Sequence, residues 1–331
     1  MANRPALLKL IRIQPLNCPT RVENRNLNVA IAAHSDTTVF VLLQLRTILL
    51  IALGQIGCAV QALPFGELPF QFHDGFIWLR VTTRSTAQPL NFLLDTGASV
   101  SVVDINVARR LGLDLGECVS VTGVNSVTTG YWPQKLSAMI DGIAMPKRYL
   151  GVDLAKLSKA CSMPVDGLLG LDFFNGKAVQ IDFDCQAIKI LSAKAARQIQ
   201  GEILPLEMGR SGMRVPVVVN GNSPQWMRLD TGCASALNWV TSSASPQKCT
   251  QRIAVGLKEF SIPSTIADVS LGKAVFKNVP TGVYTNAIFP GEAGLLGDGL
   301  LAQFAQVTID AKRRRLVLSH ELNPHFAAAR N

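Results

Sequence analysis

The chain has 331 residues, of which 48% are hydrophobic, so it is long enough for two domains with substantial buried cores. Its formal net charge is +9, but residues 1–62 carry +4 of that total, and the +5 left for the remainder is too thinly spread to indicate binding to nucleic acid. The seven cysteines include no Cys-x-x-Cys pair and no His/Cys spacing typical of zinc, so we expect no metal and no cofactor. Their pairing is left open, and a bridge between Cys233 and Cys249 is one that the sequence allows.

The N-terminal segment has the order of a secretory signal. Arg46 precedes a short apolar stretch, residues 48–62, which ends in small residues with a cleavage point after Ala62. Residues 39–60 taken together would also be long enough for an uncleaved membrane anchor. A lipoprotein attachment at Cys58 and a buried internal helix are further alternatives. We favour export to the periplasm or the extracellular space, with or without an anchor, and we set residues 1–62 apart as an N-terminal extension.

The first predicted element after this extension is a β-hairpin. Residues 76–81 and 90–94 are strand-like apolar runs separated by a polar turn. The second run leads directly into Asp95-Thr96-Gly97.

Four further elements follow in the same half of the chain. Asp104 is placed to cap a short helix that runs through Leu111. Residues 121–132 have the turn residues of a mobile hairpin. A Gly-Leu-Leu-Gly segment at residues 167–170 and a hairpin over residues 179–190 complete the series.

The first hairpin, the Gly-Leu-Leu-Gly segment and the last hairpin then recur in the same order. Residues 213–229 form a second predicted hairpin, which leads into Asp230-Thr231-Gly232. The second Gly-Leu-Leu-Gly begins 64 residues after its aspartate, compared with 72 in the first copy. A last hairpin at residues 307–318 matches that at 179–190. A lone Asp-Thr-Gly is weak evidence, whereas two copies in matching contexts indicate an internal repeat.

These motifs resemble those of the pepsin/retropepsin superfamily of aspartic peptidases, over about residues 70–320. The resemblance implies that Asp95 and Asp230 are the catalytic pair. It also implies supporting roles for the flanking residues: hydroxyls that bond across the lobe junction (Thr96, Thr231), glycines that permit the turn (Gly97, Gly232) and strands that cross behind each loop (Leu169-Gly170, Leu296-Gly297).

The fold implied by the resemblance is all-β, with two retropepsin-like β-barrel lobes related by internal duplication and an active-site cleft between them. We place the lobes at residues 63–200 and 201–331. Because both halves carry an aspartate, we expect a monomer. The expected partner is a polypeptide in extended conformation, and the expected reaction is endopeptidase hydrolysis by a water activated between the two aspartates. A catalytically silent peptide-binding protein on the same fold is the alternative.

Several residues depart from the family pattern. Ala98 and Cys233 stand where pepsin-like members commonly have a Ser or Thr that donates to the carboxylate, and we therefore predict optimal activity between weak acid and neutral pH. Arg228 replaces an apolar residue two positions before Asp230. The acids beside the Gly-Leu-Leu-Gly segments are expected to serve as local caps and turn acceptors (Asp166, Asp172, Asp298).

Overall fold

The computed structural model describes residues 12–15, 66–124, 126–209, 212–242, 248–253 and 259–323. Within these ranges the protein is mostly β, with one six-stranded barrel. The signal or anchor segment predicted at residues 39–62 lies outside them. None of the helices in the described ranges is long and apolar enough to cross a membrane.

The N-terminal half, up to residue 200, is built from short strands with three short helices and one 3-10 helix. Its elements are β1 (Arg12–Pro15), β2 (Glu67–His73), β3 (Phe76–Thr83), β4 (Thr86–Leu94), β5 (Val102–Asp104), α1 (Ile105–Arg110), β6 (Glu117–Gly123), β7 (Ser126–Lys135), β8 (Ala138–Ile140), β9 (Ile143–Ala144), β10 (Arg148–Val152), α2 (Ala155–Ala160), β11 (Gly167–Leu169), the 3-10 helix (Leu171–Phe174), β12 (Ala178–Asp182), β13 (Ala187–Leu191) and α3 (Ala193–Gln198).

The C-terminal half continues in the same style. Its elements are β14 (Glu202–Pro205), β15 (Glu207–Met208), β16 (Met213–Val219), β17 (Gln225–Asp230), β18 (Leu237–Val240), β19 (Lys248–Ile253), β20 (Glu259–Leu271), β21 (Ala274–Tyr284), β22 (Gly294–Gly297), α4 (Asp298–Leu301), β23 (Gln306–Asp310) and β24 (Arg315–Leu318).

The hairpins lie where the sequence predicts them. In β16 the buried residues alternate with half-buried ones, because successive side chains of a strand point to opposite faces. The turn that follows begins with Asn220 and Gly221, both with positive φ (52° and 70°), which Asn and Gly adopt more readily than other residues. Asp104 caps α1 as predicted, by accepting hydrogen bonds from the backbone N–H groups of Asn106 and Val107.

In the N-terminal half the strand order brings the Asp-Thr-Gly hairpin beside the Gly-Leu-Leu-Gly strand. The order is β1-β6-β7-β10-β5-β11-β4-β3-β2, so β11 lies between β4 and β5. It runs parallel to β4 and antiparallel to β5. The N-terminal strand β1 pairs antiparallel with β6, the first strand of the predicted mobile hairpin.

The C-terminal half contains a closed ring of strands. The order β16-β17-β22-β18-β21-β20 returns to β16 through a further β16–β20 pairing. Here β22 lies between β17, to which it is parallel, and β18, to which it is antiparallel. This is the arrangement of β4, β11 and β5 in the other half.

A shared sheet joins the two halves. Strand β12 pairs antiparallel with β23 from Ala178–Asp310 to Asp182–Gln306, and the neighbouring strands extend this sheet to the order β13-β12-β23-β24-β14. The largest apolar cluster draws residues from both halves, and the described residues belong to one compact unit.

Candidate active site

The two aspartates occupy matching positions at the ends of parallel strand pairs. Asp95 follows β4, whose last residue, Leu94, is in register with Leu169 of β11. Asp230 ends β17 and is in register with Gly297 of β22. In both halves the strand therefore ends at the aspartate, and the Gly-Leu-Leu-Gly strand lies beside that end. Leu169 and Leu296 lie on these neighbouring strands, which are the ones predicted to cross behind the loops.

The structure brings the two aspartates together in the interior of the protein. Both side chains are fully buried. A Cβ added to Gly97 would lie 2.8 Å from Cγ of Asp230, and one added to Gly232 would lie 2.7 Å from Oδ2 of Asp95. Because real Cβ atoms do not approach other atoms so closely, only glycine fits at these two positions. Each carboxyl group thus lies against the loop of the opposite aspartate.

Reciprocal hydrogen bonds between two threonines hold these loops in contact. Thr96 N–H donates to Thr231 Oγ1 and Thr231 N–H donates to Thr96 Oγ1, both at 3.0 Å. Each hydroxyl also donates to a carbonyl of the opposite half, Thr96 to Leu229 (2.9 Å) and Thr231 to Leu94 (3.0 Å). Four buried hydrogen bonds therefore fix the separation of the two aspartates, with the bonding across the junction that the sequence predicts for both threonines.

Backbone donors orient the carboxylates. Asp95 Oδ1 accepts from the N–H groups of Gly97 (2.8 Å) and Ala98 (3.0 Å), and Asp230 Oδ1 accepts from that of Gly232 (3.1 Å). Hydrogen bonds of this kind favour the charged form of a carboxyl group. They hold one oxygen of each aspartate in its own loop.

Cys233 follows the second Asp-Thr-Gly and remains a thiol. It is fully buried, and its Sγ accepts a hydrogen bond of 3.1 Å from Nδ2 of Asn238. The pairing of Cys233 with Cys249 that the sequence allows is therefore wrong. Cys118, on β6, is disulfide-bonded.

In the N-terminal half, Ser101 supports the crossing strand from behind. Its Oγ donates to Asp172 Oδ1 (2.7 Å) and accepts from the backbone N–H of Gly170 (3.0 Å). Burial raises the pKa of Asp172, and the bond from Ser101 opposes that shift. Ala236 and Gly299 occupy the matching positions in the C-terminal half, where no hydroxyl–carboxylate pair can form.

Asp298 lies next to the aspartate pair and was not recognised as part of the site from the sequence. Its side chain is fully buried, and neither carboxyl oxygen makes a hydrogen bond within the described part of the chain. The expectation of a capping role is therefore wrong for Asp298, because no backbone N–H reaches its carboxyl group. Asp166, in contrast, accepts from Asn91 N–H at 2.8 Å, and Asp172 accepts from Ser101.

The surroundings of Asp298 favour its protonated form. Its pKa is raised well above the usual value, first by burial and then by the nearby charges of Asp230 and Asp95. A buried carboxyl group whose neutral form is favoured is thus packed beside the pair. The sequence feature that could have identified this residue is an acid directly after the second Gly-Leu-Leu-Gly, where the first copy has the apolar Leu171.

The predicted mobile hairpin reaches the other half of the molecule. Strands β6 and β7 pair from Glu117–Trp132 to Gly123–Ser126. Val124, just beyond β6, is only 1% exposed and belongs to an apolar cluster whose other members lie in the C-terminal half, among them Cys233, Ile262 and Phe289. The tip of the hairpin thus packs against the C-terminal half, in the cluster that contains Cys233.

Comparison with known proteins gives a family match for the part of the chain that carries Asp95. No curated protein matches the chain. Residues 80–173 match the family model described as aspartyl protease. The match includes Asp95, Thr96 and Gly97 together with the crossing strand β11, and it ends before Asp230. No group of three or more metal-ligating side chains occurs in the ranges that the structure describes. Residues 80–173 are therefore a retropepsin-like aspartyl protease domain.

Proposed function

We propose that the protein is an aspartic endopeptidase in which Asp95 and Asp230 share one catalytic water. The observation that carries this proposal is the reciprocal bonding of Thr96 and Thr231, which holds both Asp-Thr-Gly loops against each other with each carboxyl group beside the opposite glycine. Two carboxyl groups fixed at one point of the cleft are what hydrolysis without a covalent intermediate requires.

The chemistry follows from the shared position of the two acids. Like charges in close contact cannot both ionise comfortably, so the pair retains one proton over a range of pH. The ionised member takes a proton from the water, and the protonated member donates a hydrogen bond to the substrate carbonyl as it becomes an oxyanion. We assign these roles to the pair jointly.

We further propose that residues 63–200 and 201–331 are two lobes related by duplication, with the substrate in the cleft between them. In support, the parallel pairings β4–β11 and β17–β22 and the antiparallel pairings β5–β11 and β18–β22 have the same pattern. Members of the family act on polypeptides. An extended substrate would bind by backbone hydrogen bonds, with its side chains in alternating pockets, beneath the β6–β7 hairpin.

Export remains part of the proposal. It rests on the charge, apolar stretch and small residues at positions 46–62. N-terminal sequencing of the mature protein after expression of the full chain tests it, because a signal peptide gives a new N-terminus at residue 63 and an anchor does not. An unprocessed protein found only in the cytoplasm would contradict export.

The activity test is hydrolysis of a denatured protein mixture across pH 3 to 8 by the full chain, with and without pepstatin. Asp230→Asn keeps the shape of the side chain and removes its ionisation, so we expect cleavage to be lost. Asp268→Asn is the matched control, since Asp268 lies in the same half but is exposed and paired with Lys277. Cleavage that is lost in the first variant and kept in the second supports the pair, whether or not pepstatin inhibits.

The same experiment can overturn the proposal. Cleavage that persists in Asp230→Asn would exclude the two-aspartate mechanism. A folded protein that cleaves nothing at any pH, yet binds extended peptides, would instead be the catalytically silent binder.

A further inference from the structure

We propose that Arg228 is a positioning residue, which reaches from the C-terminal half to hold the loop that carries Asp95. The inference rests on the proposed protease function and identifies a part of the site that the Asp-Thr-Gly motifs do not include. Its evidence is a buried network of four groups: Arg228, Glu292, Phe289 and the carbonyl of Gly97.

Arg228 and Glu292 form a buried, two-pronged ion pair. Arg228 Nε donates to Glu292 Oε2 at 2.8 Å, and its Nη2 donates to Oε1 at 2.7 Å. The Arg228 side chain is fully buried, and that of Glu292 is 5% exposed. Arg228 lies on β17, and Glu292 lies just before β22, the strand that pairs with β17. Glu292 therefore neutralises and orients the guanidinium group in the interior.

The third nitrogen of the guanidinium group, Nη1, is directed across the junction between the halves. It donates to the carbonyl of Gly97 at 3.2 Å. The N–H of that glycine in turn donates to Asp95 Oδ1 at 2.8 Å. Gly97 is thus held on one side by Arg228 of the opposite half and on the other side by the carboxylate that it orients.

Two further contacts restrict the position of the guanidinium group. Its Cζ lies 4.0 Å from the centroid of the Phe289 ring, a distance typical of a cation–π contact. On the Gly212 side there is no room for a side chain, since a Cβ there would lie 2.7 Å from Cζ of Arg228. The position of the donor to Gly97 is therefore fixed before any substrate binds.

The N-terminal half shows that the strands do not need this ion pair. Leu93 precedes Asp95 by two residues, as Arg228 precedes Asp230, and Val165 precedes the first Gly-Leu-Leu-Gly as Glu292 precedes the second. Leu93 and Val165 belong to one apolar cluster. Burying an ion pair where an apolar pair suffices rarely adds stability. The bond to Gly97 is a contact that Leu93, which has no donor in its side chain, cannot make.

The central experiment replaces the ion pair by an apolar pair of similar volume, Arg228→Met/Glu292→Leu, in the full chain. Removing both charges avoids leaving one of them buried and unpaired. We expect kcat to fall about 10- to 100-fold, because a displaced catalytic loop costs rate even when binding is intact. We expect KM to change by less than about twofold, since substrate contacts are unchanged.

A matched control lies on the neighbouring strand. Arg214 pairs with Glu207 at 2.7 Å and donates to the carbonyl of Gly291 at 2.9 Å, so it has an ion pair and a glycine carbonyl contact but none with either aspartate loop. Arg214→Met/Glu207→Leu should leave both kcat and KM unchanged. If the central variant does not fold, Arg228→Leu/Glu292→Val, which copies the pair of the N-terminal half, takes its place.

Hydrogen–deuterium exchange separates this proposal from the proposed activity. Loss of the bond to Gly97 should speed exchange of the backbone amides at residues 97 and 98, and this readout does not depend on whether the protein cleaves anything. A folded variant with wild-type kcat overturns the positioning role. If no variant and no wild-type protein cleaves, unchanged exchange at these amides overturns it, and faster exchange supports it while the protease proposal fails.

Discussion

The two halves of the molecule present their aspartates on the same backbone arrangement but surround them with different chemistry. In the N-terminal half Ser101 and Asp172 form a hydrogen bond behind the crossing strand, and Leu171 packs in the core. In the C-terminal half Ala236 and Gly299 replace the first two, and Asp298 replaces the leucine as a buried acid. The backbone pairings are the same in both.

This difference separates what shapes the site from what tunes it. The shape follows from parallel strand pairs that end at an aspartate and from glycines where the opposite carboxyl group leaves no room. The polar groups that surround the loops are not shared: Ser101 and Asp172 are present in one half, and Asp298 is present in the other. The backbone shape is the same in both halves, but these polar groups are not. Substitutions of matching residues at the junction should therefore have equal effects in the two halves, whereas substitutions behind the loops should have different effects.

The largest effect is expected where the halves are equivalent, at the threonine junction. Thr96→Val and Thr231→Val each remove a hydroxyl that donates to a carbonyl and accepts from an N–H, which leaves two buried groups without those bonds. We expect each to lower the free energy of unfolding by about 2 to 4 kcal/mol, measured by urea denaturation.

The exposed Thr82 provides a control for this measurement. Its hydroxyl donates to a single carbonyl, that of Met139, near the surface. Thr82→Val should cost less than about 1 kcal/mol. A large difference between Thr96→Val and Thr231→Val would contradict the equivalence of the two loops.

A smaller effect is expected at Ser101, where the halves differ. Ser101→Ala gives the N-terminal half the alanine of the other half, and it deprives the N–H of Gly170 and the carboxyl group of Asp172 of their partner. The loss should be about 1 to 3 kcal/mol. The pKa of Asp172 is already raised by burial and would rise further without this bond.

The pH dependence checks the cause of that loss. A carboxyl group with a raised pKa in the folded state binds more protons there than in the unfolded state, so stability falls as pH rises. The loss on Ser101→Ala should therefore be greater at pH 7 than at pH 4. The reverse order would show that Asp172 is not the affected group.

The smallest effect, and the one with opposite sign, is expected for Asp298→Asn. Because the pKa of Asp298 is raised in the folded protein, the folded state keeps a proton at pH values where the unfolded chain has already released it. Stability is therefore lost with rising pH. The variant lacks this loss, so it should be more stable than the wild type near pH 7 and lose that advantage towards pH 4. Thermal unfolding at several pH values measures the difference.

The sequence predicted the hairpins and the repeated motifs, and it missed contacts between residues that are far apart in the chain. Asp95, Asp230 and both threonines were identified because each motif occurs twice in the same order, and the hairpin bounds followed from alternating apolar residues. The partnership of Arg228 with Glu292 was not predicted, because these residues are 64 positions apart and meet only when β22 lies beside β17.

The pairing between the halves was also not predicted. All five residues of strand β12 are buried, and nothing in them shows that its partner is β23 of the other half instead of a nearer strand. The acid at position 298 was identified but not its role, since burial next to two other acids depends on the assembled loops.

The shared sheet has a consequence for movement of the two halves. The backbone ladder between β12 and β23 runs from Ala178–Asp310 to Asp182–Gln306, on a different set of strands from those that carry the aspartates. Any movement of one half relative to the other must bend or twist this ladder, since the ladder cannot slide without breaking its hydrogen bonds. The paired backbone of β12 and β23 therefore limits how the two halves can move relative to each other.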